Sequence, residues 1–363
     1  MKLGILTLSI ISGKSISSYN LQEVGMAKSL APYFDEIVLM RPTNGPTQRI
    51  DAEQDNVKVI FFHSAHLGGN GVFNLSVLDP SIDALICFSD LQLMFGKVFY
   101  WAKRNNIRLY AYIGTMSSNS PSFLVRSIMN FVSGCNKRRY KEIVCFAKNT
   151  VVKQELDSIC LKQAVLLPPG VTIHEPSEYP EARVVREELG IKGDDRIILF
   201  VGRLEKEKSA FEMVELFDEL TEANPGFTLL MVGTGSLESH ICDYIKKRKL
   251  DEKVTMIPYL DNKDMWKAYY ICHCLVNLAK TEIHGMSILE AMYFGRMVVA
   301  QRAPGPCTII EDGVSGYIAD GRDEMIDKII KGDISAEKAR ERVNEYFNWD
   351  RNAKIIYDIV AGD

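Results

Sequence analysis

What most constrains this chain is an alternation that occurs twice. In the first half, short apolar runs (KLGILTL, EIVLM, VKVIFF, ALICF, RLYAYI and EIVCFA) are separated by longer mixed segments. Runs that are apolar along their whole length suit strands buried on both faces. The segment SSYNLQEVGMAKSLAPYF carries Leu21, Val24, Met26, Ala27 and Leu30 at roughly helical spacing. This is the βαβ pattern of a parallel sheet. It stops at LLPPGVTIHEPSEYP, residues 166–180, where four of fifteen residues are proline. Proline continues neither a central strand nor a helix interior, so this is a linker. The pattern then restarts with RIILFVGRL, a helix EMVELFDELTEA, and strands TLLMVG, KVTMIPY, CLVNLA and MVVAQ. The sequence therefore predicts an α/β chain of two Rossmann-like domains facing a cleft. Residues 1–168 form the first domain and 169–340 the second. The tail 341–363, with NWDRNAKIIYDIV, is expected to be a helix that returns towards the first domain across the junction.

A length of 363 residues leaves room for two domains of ordinary size. With 47% hydrophobic and 25% charged residues, the composition is that of a globular protein rather than a disordered one. No apolar run reaches the roughly 18 residues of a membrane span. The start, MKLGILTLSIISG, lacks a small-residue cleavage pattern and reads as a buried first strand rather than a signal peptide. A cytoplasmic protein is expected. The 8 cysteines are scattered. Cys272 and Cys274 sit in the run YYICHCLVNLA, where strand alternation puts them on one face, in the core and reduced. No second pair completes a zinc site. His63 and His66, in HSAH, read as loop residues. The net charge of −4 hides an asymmetry: residues 1–170 carry 18 basic and 12 acidic side chains, the remainder 25 and 35. A basic first half suggests an anionic partner, a membrane surface or a phosphorylated acceptor. No nucleic-acid partner is expected.

In open α/β sheets, ligands bind beyond the carboxyl ends of the strands. Three loops of the second half follow strands. In VGRLEKEKSAFEMV, Arg203 and Lys208 stand near the start of a helix, where two cations suit a diphosphate. With Glu205 and Glu207 between them, a solvated charged turn is the competing reading. In VGTGSLESHI, a G-x-G can bring backbone near a phosphate or simply make a tight turn, and the third glycine of the dinucleotide fingerprint is missing. In TEIHGMSILEAM, Glu282 and Glu290 flank Gly285 with seven residues between them. Ser287-x-x-Glu290 can be a capping box. Alternatively, the N–H groups of Gly285, Met286 and Ser287 open a helix that favours an anion, with the two carboxylates accepting hydroxyl groups on either side. All three loops should share one sheet edge, which favours a nucleotide diphosphate bridging the cations and the helix N-terminus. In the first half, SIISGKSISSYN is not a P-loop, because Leu8 stands where that motif needs glycine. It is a glycine- and serine-rich loop after the first strand, with Gly13 able to approach a phosphate or acceptor.

The second half resembles the retaining GT-B glycosyltransferases, specifically the large family 4. The resemblance rests on Gly202-Arg203-Leu204 with Lys208, on Val232-Gly233-Thr234-Gly235, and on Glu282 and Glu290 followed by Ala291-Met292 and Gly295. EDGVSGYI, residues 311–318, extends it, so the match runs in order over about residues 196–320. The first half matches in architecture only. The resemblance implies that Arg203 and Lys208 hold the donor diphosphate and that Glu290 holds the ribose hydroxyls. Glu282 would face the transferred sugar, with Gly285, Met286 and Ser287 supplying backbone donors. It implies no cofactor and no metal, and the chain contains no D-x-D. There are departures. The family often has phenylalanine where His284 stands and glycine where Ser209 follows Lys208. It also often has a histidine after a middle strand of the first domain, where RLYAYIGTMSSNS has none. Asp90 and Thr115 are the candidates for that acceptor or sugar side.

The implied reaction moves a hexose-type sugar from a nucleotide-diphosphate sugar, a UDP-sugar, to a hydroxyl of a saccharide or lipid-linked acceptor. A sugar-nucleotide epimerase of the same architecture, or a binding protein that has lost catalysis, are the rivals. An NAD dehydrogenase fits less well, since neither half contains G-x-G-x-x-G. A last segment bears on the acceptor. PSFLVRSIMNFVSGCNKRRYK, residues 121–141, joins Phe123, Leu124, Ile128 and Phe131 to Lys137, Arg138, Arg139 and Lys141. Its apolar face either lies in an anionic membrane interface, making the protein peripheral there, or is buried against its own sheet.

Overall fold

The computed structural model describes residues 1–10, 21–51, 55–118, 120, 122–160 and 164–362, the side chains of 49–51 excepted. Gly13 lies outside the described residues. The chain divides into two compact units, Met1–Gly170 with Asn348–Asp363, and Val171–Phe347.

The first unit is built on β1 (Lys2–Thr7), β2 (Glu36–Thr43), β3 (Gln48–Asp51) and β4 (Val57–His63), then a hairpin β5 (Ala65–Leu67) and β6 (Asn70–Val72). It continues with β7 (Ala84–Phe88), β8 (Arg108–Ile113), β9 (Val144–Ala147) and β10 (Val165–Leu166). Its helices are α1 (Gln22–Leu30), α2 (Phe95–Arg104), α3 (Phe123–Tyr140) and α4 (Thr150–Asp157). The sheet order is β10-β9-β8-β7-β1-β2-β4-β3, parallel except where β3 runs against β4. Strand order reverses between β1 and β7, the position where doubly wound sheets open a crevice. The central strands are buried on both faces, as their unbroken apolar runs require.

The second unit contains α5 (Ala182–Glu188), β11 (Arg196–Val201), α6 (Ala210–Ala223), β12 (Phe227–Val232), α7 (Glu238–Arg248) and β13 (Val254–Ile257). There follow α8 (Trp266–Ile271), β14 (Cys274–Asn277), α9 (Met286–Tyr293), β15 (Met297–Gln301), α10 (Pro304–Ile309), β16 (Tyr317–Ala319), α11 (Arg322–Lys331) and α12 (Ala336–Tyr346). The order β13-β12-β11-β14-β15-β16 is wholly parallel and reverses between β11 and β14. Two apolar clusters sandwich this sheet.

The tail divides where it was expected to be one element. Residues 341–346 finish α12, which packs on α9 within the second unit. The last helix, α13 (Trp349–Gly362), belongs to the first unit and packs on α1. Trp349 is its anchor. The indole lies against Gly25 of α1 and against Gly170, where a Cβ would come within 2.3 and 2.5 Å of the ring. Asn352 Nδ2 donates to Pro168 O at 2.7 Å, tying the helix to the end of the proline-rich linker.

Two local expectations fail. Cys272 and Cys274 do not share a face: Cys272 follows α8, before the strand starts, and joins the opposite core cluster from Cys274. Strand alternation does not reach back to Cys272, because Tyr269 to Ile271 end a helix. His63 ends β4 and His66 lies within β5, so neither is a loop residue.

Candidate functional site

The reversal between β11 and β14 brings two loops together. Beyond β11, Gly202 and Arg203 lead through a short 3-10 turn, Lys206–Lys208, into α6. Beyond β14, the chain runs through Glu282 to Gly285 and enters α9. Lys208 Nζ donates to Glu282 Oε2 at 2.7 Å, closing the two loops on each other across the switch point. Their side chains are 31% and 10% exposed. Glu282 Oε1 also accepts the N–H groups of Gly285 at 3.2 Å and His284 at 3.4 Å. Burial raises the Glu282 carboxyl. The charge and hydrogen bond of Lys208, with the two N–H groups, outweigh that and hold it below the usual carboxylate range.

The start of α9 decides between the two readings of the glutamate segment. The N-cap is Gly285, at φ +62°, and no side chain caps it. Ser287 therefore lies inside the helix, and Ser287-x-x-Glu290 is not a capping box. A left-handed residue is needed at 285, and glycine adopts that conformation without a Cβ penalty. Glu290 is 3% exposed, and its Oε2 accepts the Tyr269 hydroxyl. Burial pushes this carboxyl well above its ordinary range. The Gly285 N–H, expected to face a phosphate, is already bound to Glu282. Among the described residues, the N–H groups of Met286 and Ser287 have no hydrogen-bond acceptor, as expected of a first helical turn.

Arg203 is 68% exposed and pairs with Glu207, one turn along. Ser209 closes the Lys206–Lys208 turn in the left-handed region, at φ 53° and ψ 39°. That conformation explains why glycine is the usual residue there in the family this segment resembles. The VGTG turn has a packing role. A Cβ on Gly233 would fall 2.0 Å from Gly202 O, and one on Gly235 2.4 Å from Leu204 O. Leu204 N–H donates to Thr234 O, and Glu205 accepts from the Ser236 N–H and hydroxyl. The glycines thus let the β12 loop brace the backbone of the β11 loop.

A bracing residue that sequence reasoning passed over is Gly305, in α10. Its N–H donates to Glu282 O at 2.8 Å, and a Cβ would lie 2.9 Å from the carbonyl carbon of Ile283. The available signal was a glycine between two prolines just after a strand.

In the first unit, Asp90 and Thr115 come together at the carboxyl ends of β7 and β8. Asp90 Oδ1 accepts the N–H groups of Gly114 and of Thr115, the latter at 3.3 Å. The Thr115 hydroxyl turns back to Ser117 O at 2.9 Å. A third member was missed. Lys148, directly after β9, is 3% exposed, lies 4.8 Å from the rings of both Phe88 and Tyr112, and donates to Asp90 Oδ2 at 2.7 Å. Its signal was an apolar strand that ends in a lysine. Asp90 thereby ties together the loops after three adjacent strands.

Residues 182–348 match the family model described as glycosyl transferases group 1. The alpha-monoglucosyldiacylglycerol synthase of Acholeplasma laidlawii is 23% identical over 169 residues, which are 46% of this chain and 42% of that one. The chain spans about half the length, or less, of the curated relatives it matches first. Among solved structures, Anabaena HepE in complex with UDP-glucose superposes with a TM-score of 0.74 at 15% identity, over 100% of both chains. Sucrose-phosphate synthase from Thermosynechococcus elongatus superposes at 0.73 and 16%, over 100% of this chain and 99% of that one. At such identities the superpositions show the fold, which is two Rossmann-like sheets of the kind found in GT-B enzymes. Residues 182–348 are thus similar to group 1 glycosyl transferases, in a chain that has the GT-B fold.

Proposed function

We propose that this chain transfers a sugar from a nucleoside-diphosphate sugar, a UDP-sugar, to the hydroxyl of a saccharide or lipid-linked acceptor, with retention at the anomeric carbon. The observation that carries the reading is the Lys208–Glu282 pair at the strand-order reversal, beside the first turn of α9. That places a cation, a fixed carboxylate and two backbone donors where α/β sheets bind ligands.

Arg203 and Lys208 would hold the diphosphate, with Met286 and Ser287 N–H groups on one phosphate. Arg203 would exchange Glu207 for the phosphate, an inexpensive trade because an exposed ion pair is worth about 0–1 kcal/mol. Glu282, held as an anion, would accept hydroxyls of the sugar. Glu290 would take the ribose hydroxyls; the Tyr269 hydroxyl fixes the orientation of its carboxyl group. In the transfer, the bond from the anomeric carbon to the β-phosphate oxygen breaks. The acceptor oxygen bonds to that carbon on the same face, and its proton passes to the departing phosphate oxygen. The cations stabilise the charge that develops on the leaving group. This role is given to Arg203 and Lys208 rather than to a metal or other cofactor. Asp90 and Thr115 would stand on the acceptor or sugar side. Such an activity fits the synthesis of cell-surface polysaccharide or glycoconjugate.

The test is a melting screen against UDP, GDP and ADP and their sugars, followed by NMR of the product linkage. A ligand present at about 100 times its Kd stabilises by roughly 2.7 kcal/mol, so one nucleotide should stand out. No shift with any nucleotide diphosphate, or an inverted anomeric product, overturns the reading.

A further inference from the structure

Helix α3 is amphipathic in the reverse sense. Its inward residues are polar. Ser133 Oγ donates to Met116 O at 2.6 Å, Asn136 Nδ2 to Gln92 O at 3.1 Å, and the Tyr140 hydroxyl to Ser89 O at 3.2 Å. All three are buried. At about 100° per residue, Leu124, Ile128 and Phe131 project from the other side of the helix. All three are exposed, Phe131 by 73%. Phe123 and Val125, in the first turn, are exposed as well. A helix that buries its polar stripe and offers its apolar one is not explained by its own fold.

The neighbouring helix shares the surface. α2 packs on α3, with the Arg139 guanidinium over the exposed Tyr100 ring at 5.4 Å. The two helices carry seven basic residues and no acidic one: Lys97, Lys103 and Arg104 on α2, and Arg126, Lys137, Arg138 and Arg139 on α3. This occurs in a chain whose net charge is −4. Among the described residues, two of the seven have carboxylate partners from elsewhere, Lys103 with Glu142 at 3.2 Å and Lys137 with Glu155 at 3.8 Å, and both pairs are exposed.

We propose that the α2–α3 face docks on the anionic surface of a phospholipid bilayer. Leu124, Ile128 and Phe131 would enter the boundary between headgroups and acyl chains, and the cations would lie among the lipid phosphates. Charge selects this occupant over a second copy of the chain. A two-fold contact would set one net-positive surface against an identical one. An anionic bilayer complements both the charge and the apolar stripe. The inference goes beyond the proposed transfer reaction and does not rest on it, because the face lies in the first unit and the donor residues in the second.

The test is sedimentation of the full chain with vesicles of phosphatidylcholine alone, or with about one quarter phosphatidylglycerol, at about 50 and about 500 mM salt. Binding to the anionic vesicles should exceed that to the neutral ones by at least about tenfold at low salt, and should weaken at high salt. The variant Leu124→Ser/Ile128→Ser/Phe131→Ser should lose roughly a hundredfold in partitioning while melting as the wild type does, since its three sites are exposed. Arg138→Gln/Lys141→Gln should lower the salt dependence. The proposal is overturned by wild type that does not sediment with anionic vesicles at low salt, or by binding that neither variant changes. It is equally overturned by a wild-type dimer that the serine variant converts to monomer without any vesicle binding.

Discussion

Lys208→Met tests the Lys208–Glu282 pair and the donor site in one protein. Removing one partner of a fully buried ion pair costs about 3–5 kcal/mol, and an exposed pair is worth about 0–1 kcal/mol. This pair lies between those limits, with side chains 31% and 10% exposed. Two backbone N–H groups stay on the carboxylate after the change. A loss of about 1.5–2.5 kcal/mol at neutral pH is therefore expected. The pH dependence gives the sharper test. The folded Glu282 carboxyl lies below its ordinary value of 4.5. Its contribution to stability is thus present above the unfolded pKa and is lost as pH falls through the folded one. In the variant, burial is opposed by the two N–H groups alone, so the folded pKa rises and that contribution shrinks. The stability gap between wild type and variant should be widest near pH 7 and should narrow towards about pH 4, where a protonated Glu282 needs no cation. Urea titrations at the two pH values measure this. A gap that stays constant, or widens in acid, refutes the ion-pair argument.

The same variant has a binding arm. A charge-assisted hydrogen bond to phosphate contributes about 1.5–3 kcal/mol, so affinity for UDP should fall roughly 10- to 150-fold by calorimetry. Wild-type affinity, in a variant that still folds, would remove Lys208 from the donor site whatever the urea titrations show.

Other substitutions separate the remaining roles. Glu282→Gln keeps an acceptor for the Gly285 N–H, so melting should change by less than about 1 kcal/mol while turnover falls at least about tenfold; Glu290→Gln should instead raise the donor KM, and a normal KM would take Glu290 off the ribose. Glu207→Gln frees Arg203 from its exposed partner and should tighten UDP binding by about two- to fivefold, with weaker binding as the contrary result. Ser209→Gly relieves a left-handed serine whose hydroxyl caps nothing, and should stabilise by about 0.5–1 kcal/mol in denaturant. Gly25→Ala would gain roughly 1 kcal/mol of helix propensity, but the new Cβ would lie 2.3 Å from the Trp349 indole; overpacking, about 1–3 kcal/mol, should win, and a rise in melting temperature would show that α13 gives way easily.

The legible parts of this structure are those fixed by local periodicity. All eleven strands read from apolar runs are present, because central parallel strands must be apolar on both faces. The strands that escaped carry weak patterns: the antiparallel edge strand Gln48–Asp51, the hairpin at Ala65–Val72, and the two- and three-residue strands Val165–Leu166 and Tyr317–Ala319. Loop convergence was legible too, since parallel strands deliver the loops that follow them to one sheet edge, and the Lys208–Glu282 contact realises it. What a sequence withholds is which way a loop residue faces. Ser287-x-x-Glu290 has the spacing of a capping box, yet a left-handed Gly285 takes the cap and Glu290 is buried within the helix. Gly305 and Lys148 escaped for a related reason, as their roles depend on contacts with residues distant in the chain, Glu282 and Asp90.

The two glutamates then acquire different chemistry from one residue type. Glu282 sits under a lysine and two N–H groups, which keep it ionised despite its burial. Glu290, eight residues on, is buried and reached by a phenol, and burial pushes its carboxyl well above the ordinary range. Environments that push paired carboxyls apart in pKa divide the work between them. A fixed anion can only accept hydrogen bonds, which suits hydroxyls of a sugar beside a leaving diphosphate. A carboxyl whose burial favours the neutral form can, when protonated, donate one bond and accept another, which suits the paired hydroxyls of a ribose. The consequence is directional. Lowering the pH from about 7 to about 5 moves Glu290 only further towards the neutral form that burial favours, so ribose recognition should hold, and transfer should weaken only below the ordinary carboxylate range, where Glu282 takes up its proton. A donor KM that climbs over that range at constant kcat would place the titrating carboxyl at Glu290 and reverse the assignment.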